Sequence, residues 1–349
     1  MAMARRIGYA VVGLGNIAQN AVLPAFAQCK RSKLVAVVSR DTIKAAQLRA
    51  KFKASLSYHM QRYEDCLANP DISAVYVSTP PGQHEPFAVR AAEAGKHVLC
   101  EKPLAATVSQ SAAIVEACRR NGVFLMTAYR KYFEPSTVYL KFLVSSGKLG
   151  RIDMMHTSFS EIFDPRIAPD WLLDASLAGG GPMMDLGVYC VNTTRWLAGE
   201  DPIETIAHSW RHDRGRFKNV EEGVAFRLNF PSGLIVQGSS TYSAAISSFI
   251  FVQGSKGWIS LSPAYTFEEE RRVTGKIAGR IVDRRFKPRD EFALELDAFS
   301  SAILQNKAVA PDGIQGHRDM IILQAIYDSA RTQQPVAIKY PAKDQSHGL

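Results

Sequence analysis

An aspartate and a tyrosine four residues apart, Asp185 and Tyr189 in GGGPMMDLGVYCVNTTRW (Gly179–Trp196), are residue types that can bind a hydroxyl and exchange a proton. At 3.6 residues per turn the two share one helix face, with Asn192 a further turn along it. Leu186, Val188 and Val191 fall on the opposite face as candidate core. A polar stripe on so apolar a helix faces a cavity or a partner. The plainer arrangement is a buried tyrosine hydroxyl satisfied by the neighbouring aspartate.

Two further motifs carry chemistry. VVGLGNIAQ (Val11–Gln19) reads GxGxxA between a strand and a helix, the pattern that binds a dinucleotide pyrophosphate. Gly13 allows the tight turn, Gly15 admits the pyrophosphate and Ala18 lets helix and strand pack closely; Asn16 and Ile17 open the helix whose N–H groups meet the phosphates. About 20 residues on, an NAD enzyme places Asp or Glu to hold the ribose 2′-hydroxyl. Here stand Ser39 and Arg40, with Asp41 one position late and Lys44 a turn further, so the expected cofactor is NADP. The alternative for Arg40 is an exposed turn residue.

The second motif, CEKPLA (Cys100–Ala105), sets Glu101 and Lys102 just past a buried strand, where ligands bind in open α/β sheets. By the same rule Thr79, Pro80 and His84, after the strand AVYVS, border the cofactor, and His84 is expected near nicotinamide or substrate. Arg130 and Tyr132 follow the last strand of this series, and either faces the ligand or packs against a helix. Trp171 lines a sugar pocket or packs in its loop. Arg195 reads as structural.

These residues need elements to hold them. Short apolar runs at Ile7–Val12, Lys33–Ser39, Ala74–Ser78, Lys96–Cys100 and Val123–Ala128 alternate with helical segments at Thr42–Lys53, Glu85–Ala94 and Ser109–Asn121. Strands with little polar alternation are buried on both faces, which predicts a doubly wound parallel sheet of Rossmann type over residues 1–130. From about Arg151 the strands Phe226–Phe230, Leu234–Thr241, Ser248–Gly254 and Gly257–Ser262 follow in quick succession, turned by FPSG and GSKG. That spacing predicts an α+β domain over 131–349 with a large, mostly antiparallel open sheet, closed by helices near Glu291–Gln305 and Gly316–Thr332. A ligand cleft is expected between the two domains.

Composition narrows the class. At 349 residues two domains are expected. With 46% hydrophobic and 21% charged residues the chain reads as globular, and no apolar run nears the ~18–20 residues a membrane helix needs. The start reads as a first strand, without a signal-peptide cleavage site, so a cytoplasmic protein is expected. Five cysteines lack paired spacing, and no ligand-spaced cluster suggests a metal. The net charge of +9 is concentrated in RRVTGKIAGRIVDRRFKPR (Arg271–Arg289), which reads as a solvated arm or hairpin with no specific nucleic-acid signature.

GxGxxA near the start, EKP after the strand KHVLC and the GGG…D…Y helix in a second domain together resemble the glucose–fructose oxidoreductase, inositol dehydrogenase and MocA family. The likeness spans essentially the whole chain and is nearest the glucose–fructose oxidoreductase branch, whose segments AYRKYFEP (Ala128–Pro135) and Leu177–Glu204 match in length and character. The resemblance implies that Lys102 is the catalytic-site lysine, that Asp185 contacts substrate hydroxyls, and that Tyr189 is the acid–base residue where many members carry histidine. It also implies that the glycines Gly179–Gly181 let the chain pass close to nicotinamide and sugar. The implied activity is NADP-dependent oxidation of an aldose at C1 to the lactone, or reduction of a sugar carbonyl. Dihydrodiols, anhydro-sugars and nucleotide-linked ketosugars are alternative substrates. A homo-oligomer, dimer or tetramer, built through the open face of the sheet is implied as well. A non-catalytic NADP(H) sensor is the reading of another class, and a sensor has no need of both Lys102 and Tyr189.

Overall fold

The computed structural model describes residues 5–341. They form two compact units: one runs to Phe133 and takes in Asp290–His317, and the other comprises Glu134–Arg289 and the chain from Arg318 on.

The first unit is built on six parallel strands, β1 (Ile7–Val12), β2 (Ser32–Ser39), β3 (Leu56–His59), β4 (Ala74–Val77), β5 (His97–Glu101) and β6 (Leu125–Ala128). Their order, β3-β2-β1-β4-β5-β6, is the expected Rossmann arrangement, reversing direction between β1 and β4. All six residues of β1 are buried because the period-2 alternation feeds two cores. Tyr9 and Val11 enter one, with Ala45, Leu48, Phe292 and Phe299. Ala10 and Val12 enter the other, with Tyr63, Ala88 and Ile114. The strand that the sequence pattern misses is β3, whose LSYH is half-exposed and carries no apolar run.

The expected division near residue 130 needs correction. Helix Glu291–Gln305 returns to the first unit, because Phe292, Ala293, Leu296 and Phe299 complete the core on one face of the parallel sheet. The Tyr9 hydroxyl, buried in β1, meets Ser300 Oγ at 2.9 Å from this helix. Periodicity shows that such a helix is amphipathic but not which sheet it covers.

The second unit holds nine strands, β7 (Ile152–Ser160), β8 (Glu204–Trp210), β9 (Gly223–Asn229), β10 (Ile235–Thr241), β11 (Ser247–Gly254), β12 (Gly257–Ser262), β13 (Arg271–Ile277), β14 (Arg280–Phe286) and β15 (Val336–Ala337). Their order is β14-β13-β12-β11-β7-β10-β9-β8-β15. All neighbours are antiparallel except β7 and β10. FPSG turns β9 into β10 and GSKG turns β11 into β12, as expected. The basic segment is the β13–β14 hairpin at the sheet edge, but it is not wholly solvated. Arg271 is fully buried, donates to the Thr266 carbonyl and lies 3.7 Å from the Glu134 carboxylate. Arg272 and Arg285 stay outside, paired with Asp283 and Glu270. No helix among the described residues is long and apolar enough to cross a membrane.

Candidate active site

In the first unit the predicted cofactor residues gather at the carboxyl ends of β2, β1, β4 and β5. Gly13 has φ +90°, and a Cβ there would stand 2.7 Å from the backbone of Ser78 and Thr79. Only glycine fits that turn. At Gly15 a Cβ would meet nothing within 4 Å, so the loop carries open space beside its exposed backbone, which suits a pyrophosphate. Asn16 is exposed, Ile17 half-buried and Ala18 fully buried against the sheet.

The end of β2 bears on which dinucleotide fits. Asp41, just past β2, caps helix Thr42–Lys51 by accepting the Lys44 N–H at 2.9 Å. The Ser39 hydroxyl accepts the Asp41 N–H at 3.1 Å. Arg40 is exposed and lines a depression with His59, Met60, Gln61 and Arg90. Of that lining, Arg90 is paired with Glu64, and His59 Nδ1 accepts the Gln61 N–H at 3.2 Å. Neither His59 nor Arg90 was legible as a neighbour of Arg40, since β3 itself gave no signal and Arg90 lies inside helix His84–Glu93.

His84 departs from expectation. It is fully buried, with Nε2 2.7 Å from the Thr79 carbonyl and Nδ1 3.2 Å from the Leu104 carbonyl. Burial lowers its pKa to about 4, against the pull of those carbonyls. A ring with no exposed surface ties the segment after β4 to the one after β5 and does not itself border a ligand. Thr79 is buried and Pro80 half-buried beside it.

Glu101 ends β5 and is buried, accepting from the Tyr76 hydroxyl at 2.7 Å and from the Lys102 N–H at 3.2 Å. Burial pushes its carboxyl up. Lys102 is half-buried, and its bond to Pro103 is cis. Arg130 takes the packing alternative. Its guanidinium donates to Glu291 at 2.7 Å and lies 5.4 Å from the Phe292 ring centre, while Lys131 reaches the same carboxylate at 3.0 Å. The pairing of Arg130 inside this buried cluster corrects its assignment to substrate. Tyr132 is half-buried in the same turn.

In the second unit Gly179, at φ +82°, ends the short helix Ala175–Ala178. Next comes a π-helical turn, Met183–Gly187, continuous with helix Val188–Ala198. Such wide turns recur at functional sites because they shift the phase of a helix face. Asp185 is half-buried in the π turn and accepts from the Tyr242 hydroxyl at 2.9 Å. Tyr189 is buried, its ring 6.1 Å from Phe159 and 5.9 Å from Tyr265. The partner of Asp185 is thus a tyrosine that no spacing in the sequence singles out.

The polar stripe ends there. Asn192 donates to Asp319 at 2.8 Å, and Arg195 pairs with Asp319 and Asp201, inside a buried network. Leu186, Val188 and Val191 are buried as expected. Trp171 is half-buried in the turn Asp170–Leu173. The glycines also need a different account: what a side chain would strike is protein. A Cβ on Gly180 would lie 2.0 Å from the Tyr327 hydroxyl, and one on Gly181 2.3 Å from the Glu221 carbonyl.

Known proteins resemble this chain along most of its length. Residues 7–129 match the family described as oxidoreductase family, NAD-binding Rossmann fold, and residues 137–260 match the GFO/IDH/MocA C-terminal domain. The D-xylose 1-dehydrogenase [NADP(+)] of Haloarcula marismortui is 29% identical over 338 residues, 95% of this chain and 93% of that protein. The D-xylose 1-dehydrogenase (NADP(+)) 2 of Haloferax volcanii is 30% identical over 95% of this chain and 99% of its own. Among solved structures, the aldose–aldose oxidoreductase from Caulobacter crescentus complexed with glycerol has 35% identity and a TM-score of 0.90, covering 95% of this chain and all of that one.

Proposed function

The chain belongs to the Gfo/Idh/MocA oxidoreductase family, and on that premise we propose that it oxidises an aldose at C1 to the lactone with NADP, or reduces a sugar carbonyl in the reverse sense. One observation carries the reading: a helix presents a carboxylate and a phenol one turn apart, in a chain that matches NADP-dependent D-xylose dehydrogenases over 95% of its length. A nicotinamide dinucleotide supplies the redox chemistry when bound, as acceptor or donor of hydride.

Everything else falls to the chain's own residues. Gly13, Gly15, Asn16 and Ile17 receive the pyrophosphate; Ser39, Arg40 and Lys44 hold the 2′-phosphate, since Asp41 is committed to its helix cap. Thr79, Pro80 and Glu101 flank the cofactor from the ends of β4 and β5, with His84 bracing them from within. Asp185, as a carboxylate accepting from Tyr242, can only accept, so its partner on substrate is a hydroxyl and not a carbonyl. We assign that hydroxyl to the carbon beside the reacting one. Tyr189 takes the proton of the reacting hydroxyl, and Lys102 serves the same proton-transfer step. Tyr132 and Trp171 are assigned to the sugar.

Five buried, unpaired thiols agree with a reducing cytoplasm, to which we assign the protein. We assign it also a homo-oligomeric state formed through the outer face of the nine-stranded sheet, where light scattering after size exclusion should give a dimer or tetramer mass.

The test is a panel of aldoses, D-xylose first, incubated with purified protein and NADP⁺ and followed at the NADPH absorbance. Extraction and assay of any co-purified cofactor shows whether nicotinamide is retained between half-reactions. NADP binding without turnover of any aldose, dihydrodiol or ketosugar would favour a sensor instead.

A further inference from the structure

The helix that carries Asp185 and Tyr189 has no local N-terminal cap. Pro182 occupies the position, and no side chain near it in sequence accepts from the first turn. The Gly181 carbonyl accepts the Met184 and Asp185 N–H groups, and the N–H groups of Gly181 and Met183 are met from farther along the chain. Glu221, buried just before β9, accepts the Gly181 N–H on Oε2 at 2.9 Å and the Met183 N–H on Oε1 at 3.0 Å. Tyr327, from helix Gly313–Thr332, donates its hydroxyl to the same Oε1 at 2.9 Å. A carboxylate over a helix N-terminus is favoured both by those N–H groups and by the helix dipole.

The fit tolerates no side chain, since a Cβ on Gly180 or Gly181 would run into Tyr327 or Glu221. The same end of the β9–β10 pair then grips the helix a second time. The residue after Glu221, Glu222, accepts the Tyr242 N–H through its carbonyl at 3.0 Å, and Tyr242 holds Asp185 at 2.9 Å. One strand end therefore fixes both the start of the π turn and the carboxylate within it.

We propose that Glu221 and Tyr327 are positioning residues for the reaction: the pair acts as a remote cap that sets where Asp185 meets the sugar hydroxyl. Neither touches substrate; each acts through the glycine segment and the π turn. The proposal rests on the reading of Asp185 as the group that binds the hydroxyl next to the reacting carbon. Asp185, Glu221 and Tyr327 all belong to the second unit, and the GxGxxA loop belongs to the first.

The readout is discrimination between the best aldose found and its 2-deoxy analogue, which lacks that hydroxyl. Sites built to bond a hydroxyl select strongly against analogues without it. In Tyr327→Phe, kcat/KM for the aldose is expected to fall about 10-fold or more. For the 2-deoxy sugar it should fall less than about threefold, since a bond to the absent hydroxyl cannot be lost. Glu221→Gln should act in the same direction and more severely, because its amide nitrogen cannot accept an N–H. The NADP dissociation constant, read by fluorescence quenching, should stay within about twofold in both, and the retained turnover of the 2-deoxy sugar verifies that the second unit is folded.

Asp185→Asn is the control. Unchanged discrimination in Asp185→Asn refutes the reading of Asp185, and the positioning role with it. Discrimination lost in Asp185→Asn but kept in Tyr327→Phe refutes the positioning role alone. An equal fall on both sugars in Tyr327→Phe also overturns it, since a merely structural contact would lower both alike.

Discussion

Replacing His84 by glutamine should flatten part of the acid side of the protein's stability profile. In the fold the imidazole is fully buried, and burial lowers its pKa to about 4 from an unfolded value near 6.5. Between those two values the unfolded chain binds a proton at this residue and the folded chain does not. The contribution of neutral His84 is thus complete above pH ~6.5 and is lost as pH falls toward 4. At ~1.4 kcal/mol for each pH unit, the whole span amounts to about 3 kcal/mol, of which about 2 is gone by pH 5. Urea unfolding of wild type and His84→Gln at pH 7.5 and pH 5 measures it. The wild type should lose about 2 kcal/mol more than the variant over that interval. The buried carboxyls of Glu101, Glu221 and Glu295, whose pKa values burial raises, act in the opposite sense but equally in both proteins. Equal losses would refute the argument. So would a smaller loss in the wild type, which would mean that the ring is an imidazolium shared between the Thr79 and Leu104 carbonyls.

Tyr189→Phe should bind NADP normally and turn over the best sugar about 10²–10⁴-fold more slowly, the range for a lost general acid–base group. Lys102→Ala should do at least as much damage. In steady-state kinetics the double variant should be little worse than the worse single, and additive losses would separate the two into different steps. Arg40→Asp should weaken NADP binding by about 1.5–3 kcal/mol and improve NAD binding; an unchanged NADP titration would remove Arg40 from the 2′-phosphate site. Arg271→Ala should cost about 3–5 kcal/mol in chemical unfolding, because it strips a buried cation from Glu134 and Thr266, while Arg285→Ala at the hairpin surface leaves the midpoint in place. Similar midpoints in the two variants would contradict the burial of Arg271.

The parts of the site legible in the sequence are those whose signal is local. GxGxxA directly after an apolar run required a strand, a tight turn and a helix within 20 residues, and the structure places Gly13, Gly15 and Ala18 so. Lys102 just past β5 and Ser39 at the end of β2 followed from the rule for strand ends. The partners that anchor these residues act at long range and leave no spacing to read. Tyr242 lies 57 residues from Asp185, Tyr327 106 from Glu221, and Glu291 161 from Arg130. Arg130 and His84 illustrate the same limit from the other side. Their positions near strand ends are right for ligands, yet a polar side chain there can equally turn inward to a buried acceptor, and burial is a tertiary property. The π turn was invisible for another reason: nothing in PMMDLG distinguishes a wide turn from a regular one.

Helix Glu291–Gln305 has a consequence for the order of synthesis. The parallel sheet is translated within the first 128 residues, but the helix that supplies Phe292, Leu296 and Phe299 to one of its cores leaves the ribosome only after the whole nine-stranded unit apart from β15. Until then that core, which includes Phe26, Leu14 and Tyr9, is closed only in part, by residues such as Ala45 and Leu48 of helix Thr42–Lys51, and the Tyr9 hydroxyl lacks the Ser300 that it later meets. Nascent chains halted before residue 290 should therefore bind a chaperone or a hydrophobic dye, and those carrying residues to 317 beyond the exit tunnel should release it. For the same reason a fragment ending at Phe133 should carry the NADP-binding loop poorly, and one in which residues 290–317 are joined after it should regain the missing core residues.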